Sequence, residues 1–243
     1  YLTFCLFFIG WHAQGQLSIV NITGSIQSLM AGGGLNFFLY DPMTTLIWIF
    51  VIATFFIWGR GTFCGWLCPF GAFQELGTNI FSKLKLKQFE PSVKLDAHLK
   101  KMKYVVLFAI IAAAFLSATW ADRLVEIEPF KTSITFFFVR FWPFTLWAVA
   151  MVLLSVFVFK GYCRYVCPLG AAMALFGKFR IFNWLQRRKE CGSPCQLCKN
   201  ACQYQSIKKS GEIDYQECFQ WLDCVVIHDN DTLCAPLIVN KRN

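Results

Sequence analysis

Long uninterrupted runs of apolar residues limit what this chain can fold into more than any other feature. Three runs, at residues 43–59, 104–120 and 141–159, approach or reach the about 17–25 residues that a membrane-spanning helix needs. The apolar run that ends near Trp11 predicts the second half of a further span. Runs of this length without alternating polar residues favour helices over strands. The sequence therefore predicts a mainly α-helical, polytopic transmembrane bundle with about four spans in the lipid bilayer.

The composition agrees with that prediction. Of the 243 residues, 56% are hydrophobic and only 15% are charged, which is unusual for a water-soluble domain. The 12 cysteines occur in a chain too long and too apolar to be a small secreted disulfide scaffold. The first residue is Tyr1, inside an apolar run, so we expect a piece of a longer protein whose beginning is absent.

Basic residues are distributed unevenly around the predicted spans. Segment 12–41 has no Lys or Arg, whereas segment 60–103 contains Arg60, Lys83, Lys85, Lys87, Lys94, Lys100, Lys101 and Lys103. A second set follows the last run: Lys160, Arg164, Lys178, Arg180, Arg187, Arg188 and Lys189. The positive-inside rule then predicts that segment 60–103 and everything from residue 160 onwards are cytoplasmic. This placement accounts for the net charge of +9 without nucleic acid, which we do not expect as a partner.

A short cysteine motif occurs twice, each time at the cytoplasmic end of a predicted span. The two copies read GTFCGWLCPFGA at residues 61–72 and GYCRYVCPLGA at residues 161–171, so each contains Cys-x3-Cys-Pro. Cysteines four residues apart share one face of a helical turn. If the two units pack together, Cys64, Cys68, Cys163 and Cys167 converge on one site. Such thiols hold a soft metal or form a dithiol–disulfide couple, and the sequence leaves that choice open.

The C-terminal region contains a second and different set of cysteines. It begins with CGSPCQLCKNAC at residues 191–202 and continues with ECFQWLDC at residues 217–224. Ferredoxins with two clusters use runs of this kind, in which three cysteines hold one cluster and the fourth reaches the other. By that rule, cluster one takes Cys191, Cys195, Cys198 and Cys234, and cluster two takes Cys202, Cys218 and Cys224. A structural zinc site is the alternative for four paired cysteines.

Trp221 occupies the position where the second run needs its middle cysteine. An indole N–H donates a hydrogen bond but has no lone pair for iron, so cluster two is incomplete. Three outcomes follow: a three-iron cluster, an empty site, or a substitute ligand from Asp223 or His228. We favour the first two. The sequence therefore predicts a transmembrane domain at residues 1–187 with both repeats, and a small ferredoxin-like [4Fe-4S] domain at residues 188–243 on the cytoplasmic side.

Taken together, these motifs resemble the NosR family, with NirI as a close relative. The resemblance is carried by WGRGTFCGWLCPFGAFQEL, the second Cys-x3-Cys-Pro, the C-terminal cysteine runs, GQLS at residues 15–18 and LYDP at residues 39–42. The four repeat thiols match the paired motifs of the family, and the seven C-terminal cysteines match its cluster ligands. The sequence departs from the family at Trp221, where other members have cysteine.

This resemblance implies a multi-pass protein of the bacterial inner membrane in denitrifying bacteria. It implies electron transfer, from the quinol pool through iron–sulfur clusters, that supports the activity or maturation of nitrous-oxide reductase. Quinol oxidation is the enzymatic role that it leaves open, and FMN is expected only in an N-terminal domain absent from this chain. The alternatives are a copper or sulfur assembly factor that uses the four inner-face thiols, and a redox-sensing regulator.

Overall fold

The described part of the chain is mainly helical. The computed structural model describes residues 1–32, 42–85 and 88–242. Its longer helices are α2 (Ile19–Met30), α3 (Pro42–Trp58), α4 (Pro69–Lys83), α5 (Val93–Leu116), α7 (Trp142–Phe157) and α9 (Pro168–Phe176). The shorter ones are α1 (Leu2–Phe4), α6 (Ala118–Val125), α8 (Gly161–Tyr165), α10 (Leu197–Ala201), α11 (Asp223–Asp229) and α12 (Ala235–Arg242). π-Helical turns cover Cys5–His12, Thr62–Leu67 and Lys131–Thr135, and a 3₁₀ turn covers Gly177–Phe179.

The predicted transmembrane bundle is wrong: among these described residues, no helix is long and apolar enough to cross a membrane. Helices α3 and α7 have 17 and 16 residues, which corresponds to about 25 Å at 1.5 Å per residue. The hydrocarbon core of a bilayer is about 30 Å thick. Helix α5 has 24 residues, but its first half carries Lys94, Asp96, Lys100, Lys101 and Lys103.

The apolar runs also end differently from the prediction. The run at residues 104–120 is divided at Ser117, whose extended backbone separates α5 from α6. The opening run forms α1 and the π-helical turn Cys5–His12. Residues 39–41 of the LYDP motif and Lys87 lie outside the described residues. Because the predicted cytoplasmic side and multi-pass topology depended on those spans, they have no structural support.

The two repeat units have the same local structure at the second cysteine of each motif. Cys68 is the N-cap of α4 and Cys167 is the N-cap of α9, and a proline follows each in the first helical turn. The Cys68 thiol accepts a hydrogen bond from the Gly71 N–H at 3.4 Å, and Cys167 accepts one from Gly170 at 3.2 Å. Each proline starts a helix because its missing N–H and fixed φ suit that position.

The main hydrophobic core lies between the two repeat units. Phe70 of α4 contacts Phe130 and Tyr162, with ring centroids 5.1 and 5.3 Å apart. Tyr162 is fully buried, and Met173 of α9 is buried in the same cluster of side chains. The core therefore joins both units and extends to the C-terminal segment through Tyr204 and Phe219.

Buried ion pairs attach the C-terminal segment to the repeats. Glu217 accepts hydrogen bonds from the Lys103 ammonium at 2.7 Å to both carboxylate oxygens, and Arg60 lies 4.0 Å away. A further buried pair, Asp96 with Arg164 at 2.6 Å, joins α5 to α8. Lys103 and Arg60 are fully enclosed, although the positive-inside rule counted both among the cytoplasmic charges. A charge removed from water requires such a partner, so the two pairs of Glu217 fix how the segment sits on the helices.

We expect Lys103→Met to lower the free energy of unfolding by about 3–5 kcal/mol, because it leaves the buried Glu217 carboxylate with a distant partner. Lys101→Met is the matched control, since Lys101 is exposed on the same helix. This control should change stability by no more than about 0.5 kcal/mol. Urea unfolding of the two variants measures the difference, and equal losses would contradict the assignment.

Candidate functional site

The structure brings the four repeat thiols into one buried core. Cys68, Cys163 and Cys167 are buried and Cys64 is partly buried, all within the same cluster of side chains. The Cys64 Sγ lies 3.4 Å from the Met173 Sδ. No three His, Cys, Asp or Glu side chains in the described part of the chain are arranged to hold a metal ion. The thiols are thus neighbours, and metal ligation by them stays a prediction.

Burial controls the chemistry of these thiols. It raises the pKa of Cys64 to about 11, while the Arg60 guanidinium acts in the opposite direction. Burial and the nearby Cys163 and Cys64 thiols raise the pKa of Cys167 well above its ordinary value. The thiols therefore keep their protons near neutral pH. A soft metal or oxidation would remove those protons.

Three of the four predicted ligands of cluster one line a single pocket. These are Cys191, Cys195 and Cys198, and three cationic side chains line the same pocket: Arg187, Lys199 and Lys208. Thiolate-held iron carries net negative charge, so the surrounding cations suit such a group. Cys234 does not line this pocket; its thiol instead accepts a hydrogen bond from Arg188 at 3.0 Å.

Close backbone packing shapes this first pocket. Gly192 has φ +105°, in the left-handed region, and an added Cβ would lie 2.2 Å from the backbone carbonyl of Ser210. Only glycine fits both the conformation and the space. The Gly192 N–H also donates to the carbonyl of Cys195 at 2.9 Å, which closes the loop between the first two cysteines.

The three predicted ligands of cluster two line a second pocket. Cys202, Cys218 and Cys224 meet there together with Trp221 and Asp223. Burial raises the pKa of Cys224 to about 11, against the Arg187 guanidinium, which lowers it. Of the two substitute ligands considered from the sequence, Asp223 lines the pocket and His228 does not. Burial raises the pKa of the Asp223 carboxyl, and the nearby Trp221 indole acts in the opposite direction.

Trp221 joins the second pocket to the repeat core. Its ring meets Phe159 edge-on with centroids 5.8 Å apart, and the Lys160 ammonium lies 5.3 Å from its centroid. Lys160 in turn pairs with the buried Glu75 at 3.1 Å. Sequence reasoning missed Phe159 and Lys160 as parts of the site. The position of Lys160 in the sequence could have identified it, because Lys160 directly precedes the second cysteine motif just as Arg60 directly precedes the first.

Residues 218–221, which we call the cysteine loop, lie against the first repeat unit. The Gln220 side-chain amide donates to the carbonyl of Trp58 at 2.6 Å. The Trp66 indole donates to the backbone carbonyl of Gln220 at 2.9 Å. The Phe219 ring lies 4.3 Å below the Arg60 guanidinium and stacks on Tyr204. The second pocket is therefore held in direct contact with the residues around Cys64.

Gly65 sets how closely the cysteine loop can approach. A Cβ on Gly65 would lie 2.1 Å from the backbone carbonyl oxygen of Phe219. We expect Gly65→Ala to displace the loop and lower the free energy of unfolding by about 1–3 kcal/mol. Gly77→Ala is the control, since its Cβ would meet its nearest neighbour at 3.6 Å within α4. It should stabilise the protein by about 0.5–1 kcal/mol. Thermal unfolding compares the two, and a harmless Gly65→Ala would contradict the contact.

Two protein-family models match the chain. The one described as NosR matches residues 189–243, which contain the seven C-terminal cysteines. The one described as "4Fe-4S binding domain" matches residues 40–87 and 134–190. Those two segments contain the repeat cysteines Cys64, Cys68, Cys163 and Cys167. The iron–sulfur similarity therefore falls on both repeats, where the sequence analysis left the ligand open.

Curated relatives match over the full chain or over part of it. "Regulatory protein NosR" of Stutzerimonas stutzeri is 46% identical, over 100% of this chain and 34% of that protein. "Protein NirI" of Paracoccus denitrificans is 41% identical, over 100% of this chain and 36% of that protein. A shorter Pseudomonas aeruginosa "Regulatory protein NosR" is 58% identical over 33% of this chain and 79% of its own length. The chain spans about a third of the two longer relatives. No solved structure matches.

Proposed function

The chain belongs to the NosR/NirI family, and from this premise we propose that it transfers electrons in support of nitrous-oxide reductase activity or maturation. The relatives and the 4Fe-4S match support an iron–sulfur protein with an electron-transport or regulatory role. The predicted family resemblance is thereby confirmed. The proposal adds three points: the relation to nitrous oxide, the source of the electrons and the direction in which they flow.

One observation carries the proposal: a pocket with three cysteines lies beside the core that contains the repeat thiols. Trp221 lines the pocket and contacts Phe159. Phe159 belongs to the same buried cluster of side chains as Cys163. When bound, iron–sulfur clusters supply one-electron transfer at thiolate-held iron. The contacts between pocket and core provide a short connection between the two cysteine sets.

We assign the first cluster to the first pocket because of its cysteines. Cys191, Cys195 and Cys198 would supply three thiolates, with Cys234 as the fourth ligand that the cysteine spacing predicts. Arg187 would offset negative charge, since it lines this pocket and its guanidinium acts against the burial that raises the pKa of Cys198. Full ligation requires Cys234 to exchange its hydrogen bond from Arg188 for iron.

We assign a three-iron cluster to the second pocket because three cysteines line it. Cys202, Cys218 and Cys224 would give three thiolates, and Trp221 occupies the sequence position of the missing one. Because the indole has no lone pair for a metal, it leaves one corner of a cubane without a ligand. Asp223 lines the pocket but its side chain is exposed, so we assign it no iron.

Trp221→Cys should raise the iron content of anaerobically purified protein from about seven to about eight atoms per chain, because it completes the second ligand set. Asp223→Ala is the matched control and should leave about seven. Iron and acid-labile sulfide analysis measures both. Unchanged iron in Trp221→Cys, or a loss of iron in Asp223→Ala, would contradict the three-iron assignment.

The proposed electron donor is quinol, and the proposed recipient is the copper enzyme or its maturation factors. Both come from the family resemblance. A flavin domain with FMN is proposed for the remaining two thirds of the whole protein, since this chain spans about a third of its longer relatives. Quinol oxidation would make the whole protein an enzyme, with this chain as its electron-transfer part.

A copper assembly role is the second candidate. It is favoured by the 3.4 Å contact between the Cys64 thiol and the Met173 thioether, because paired soft sulfur atoms suit Cu(I). A regulatory role is the third candidate, in agreement with the name "Regulatory protein NosR" of the Stutzerimonas stutzeri relative. In either case the same buried thiols would be the reactive groups.

The combined substitution Cys64→Ser and Cys163→Ser in the whole protein separates the first two candidates. Under electron transfer, nitrous-oxide turnover by reductase already loaded with copper should fall to background. Under assembly, loaded reductase should work normally while newly made reductase lacks copper. Cys5→Ala is the control, because Cys5 is buried in the same part of the fold but lies outside both motifs. Turnover and copper content are measured together.

A further inference from the structure

Ser206 is a buried serine whose side chain reaches one of the cysteines of the second pocket. It is only 3% exposed, and it lines that pocket together with Cys202, Cys218 and Cys224. Its Oγ lies 3.2 Å from the Cys202 Sγ. Serine is mostly found at the surface, and a buried hydroxyl needs a hydrogen-bond partner. Here that partner is the sulfur atom of a predicted cluster ligand.

The backbone sets the position of Ser206. This residue begins a short hairpin in which Ile207 and Ile213 form an antiparallel bridge. The Ser206 carbonyl accepts a hydrogen bond from the Asp214 N–H at 2.7 Å. Ile207 and Ile213 are buried in one hydrophobic cluster with Cys218. The backbone pairing and the apolar packing therefore place the hydroxyl, independently of its contact with the thiol.

Iron would determine which atom of this contact is the donor. Without a metal, either the Ser206 hydroxyl or the Cys202 thiol can donate the hydrogen. A cysteine that ligates iron has lost its proton and can only accept, so the hydroxyl then donates to the sulfur. A backbone donor reaches the same ligand set, because the Gln220 N–H donates to the Cys218 Sγ at 3.4 Å. Two sulfur atoms of the second pocket are thus provided with hydrogen-bond donors.

The first pocket has no equivalent hydroxyl. Its lining in the described part of the chain contains no serine, threonine or tyrosine, although Ile207 lines both pockets. Cationic side chains, among them Arg187 and Lys199, line it instead. The potential of an iron–sulfur cluster depends on hydrogen bonds to its sulfur atoms as well as on charge and exposure. A hydroxyl beside one cluster only should therefore shift the potential of that cluster relative to the other.

We propose that the Ser206 hydroxyl donates a hydrogen bond to the Cys202 sulfur of cluster two and thereby raises the reduction potential of that cluster. Reduction by an external one-electron donor adds one negative charge to the cluster, breaks no bond and moves no proton. A hydrogen bond to sulfur stabilises the more negative state. Ser206 is a positioning residue that acts through Cys202. The inference rests on the proposed function, since it needs a cluster held by the three cysteines of this pocket.

The test is an EPR-monitored redox titration of the anaerobically purified, iron-loaded whole protein, with dithionite as the reductant. Ser206→Ala should lower the equilibrium constant for reduction of cluster two about tenfold, a negative shift of about 59 mV for one electron. Cluster one should keep its potential in the same sample, because no hydroxyl among the described residues lines its pocket. The iron content should stay at about seven atoms per chain, because Ser206 is not a ligand.

Two further variants separate the hydrogen bond from the shape of the side chain. Ser206→Thr keeps the hydroxyl and should keep the potential of the unchanged protein. Ser206→Val has nearly the shape of threonine without the hydroxyl, and should shift the potential as Ser206→Ala does. This pair also decides the question if Ser206→Ala fails to fold. Ser210→Ala is the matched control and should change neither potential, since Ser210 is exposed on the same hairpin and lines neither pocket.

Three results would overturn the proposal. The first is an unchanged potential of cluster two in Ser206→Ala, or equal potentials in the threonine and valine variants. The second is a loss of iron from about eight to about seven atoms per chain in Ser206→Ala, which would make Ser206 the fourth ligand. The third is about four irons in the unchanged protein, which would remove cluster two and contradict the three-iron assignment as well. An unmoved potential in protein that shows the three-iron signal would contradict the role of Ser206 alone.

Discussion

The structure depends on one buried carboxylate. Glu217 is held by Lys103 of α5 and lies within ion-pair distance of Arg60, which directly precedes the first cysteine motif. Because Glu217 also precedes Cys218, these pairs fix the position of the cysteine loop as well as its attachment. Breaking a buried pair leaves an uncompensated charge, so the arrangement tolerates little displacement. The contacts of Gln220, Phe219 and Trp221 with the repeats all follow from this placement.

The Cys-Pro pairs predicted local structure correctly, whereas the apolar runs predicted membrane-spanning helices that the structure does not have among the described residues. Each Cys-Pro pair starts a helix, as the capping preferences of those residues would indicate. The apolar runs suggested spans because composition alone does not show where a helix stops. The extended backbone at Ser117 and at Val158 ends α5 and α7 before the predicted ends of their apolar runs. Arg60, Lys103, Lys160 and Arg164 supported the predicted topology as cytoplasmic charges, yet all four side chains are buried.

The candidate site residues also differ in how far the sequence predicts them. Cysteine spacing predicted two ligand sets, and the structure places most members of each set around its own pocket. Spacing could not show that Trp221 faces both its pocket and Phe159, because that contact joins distant parts of the chain.

The central functional claim is that the second pocket holds a three-iron cluster beside Trp221. Low-temperature EPR of the unchanged protein, purified without oxygen and recorded before any reductant is added, tests it most directly. The account predicts a three-iron signal in that state and a separate cubane signal after reduction. A protein that is EPR-silent before reduction and contains about eight irons would contradict it. The second cluster would then be a complete cubane with a ligand other than the three cysteines.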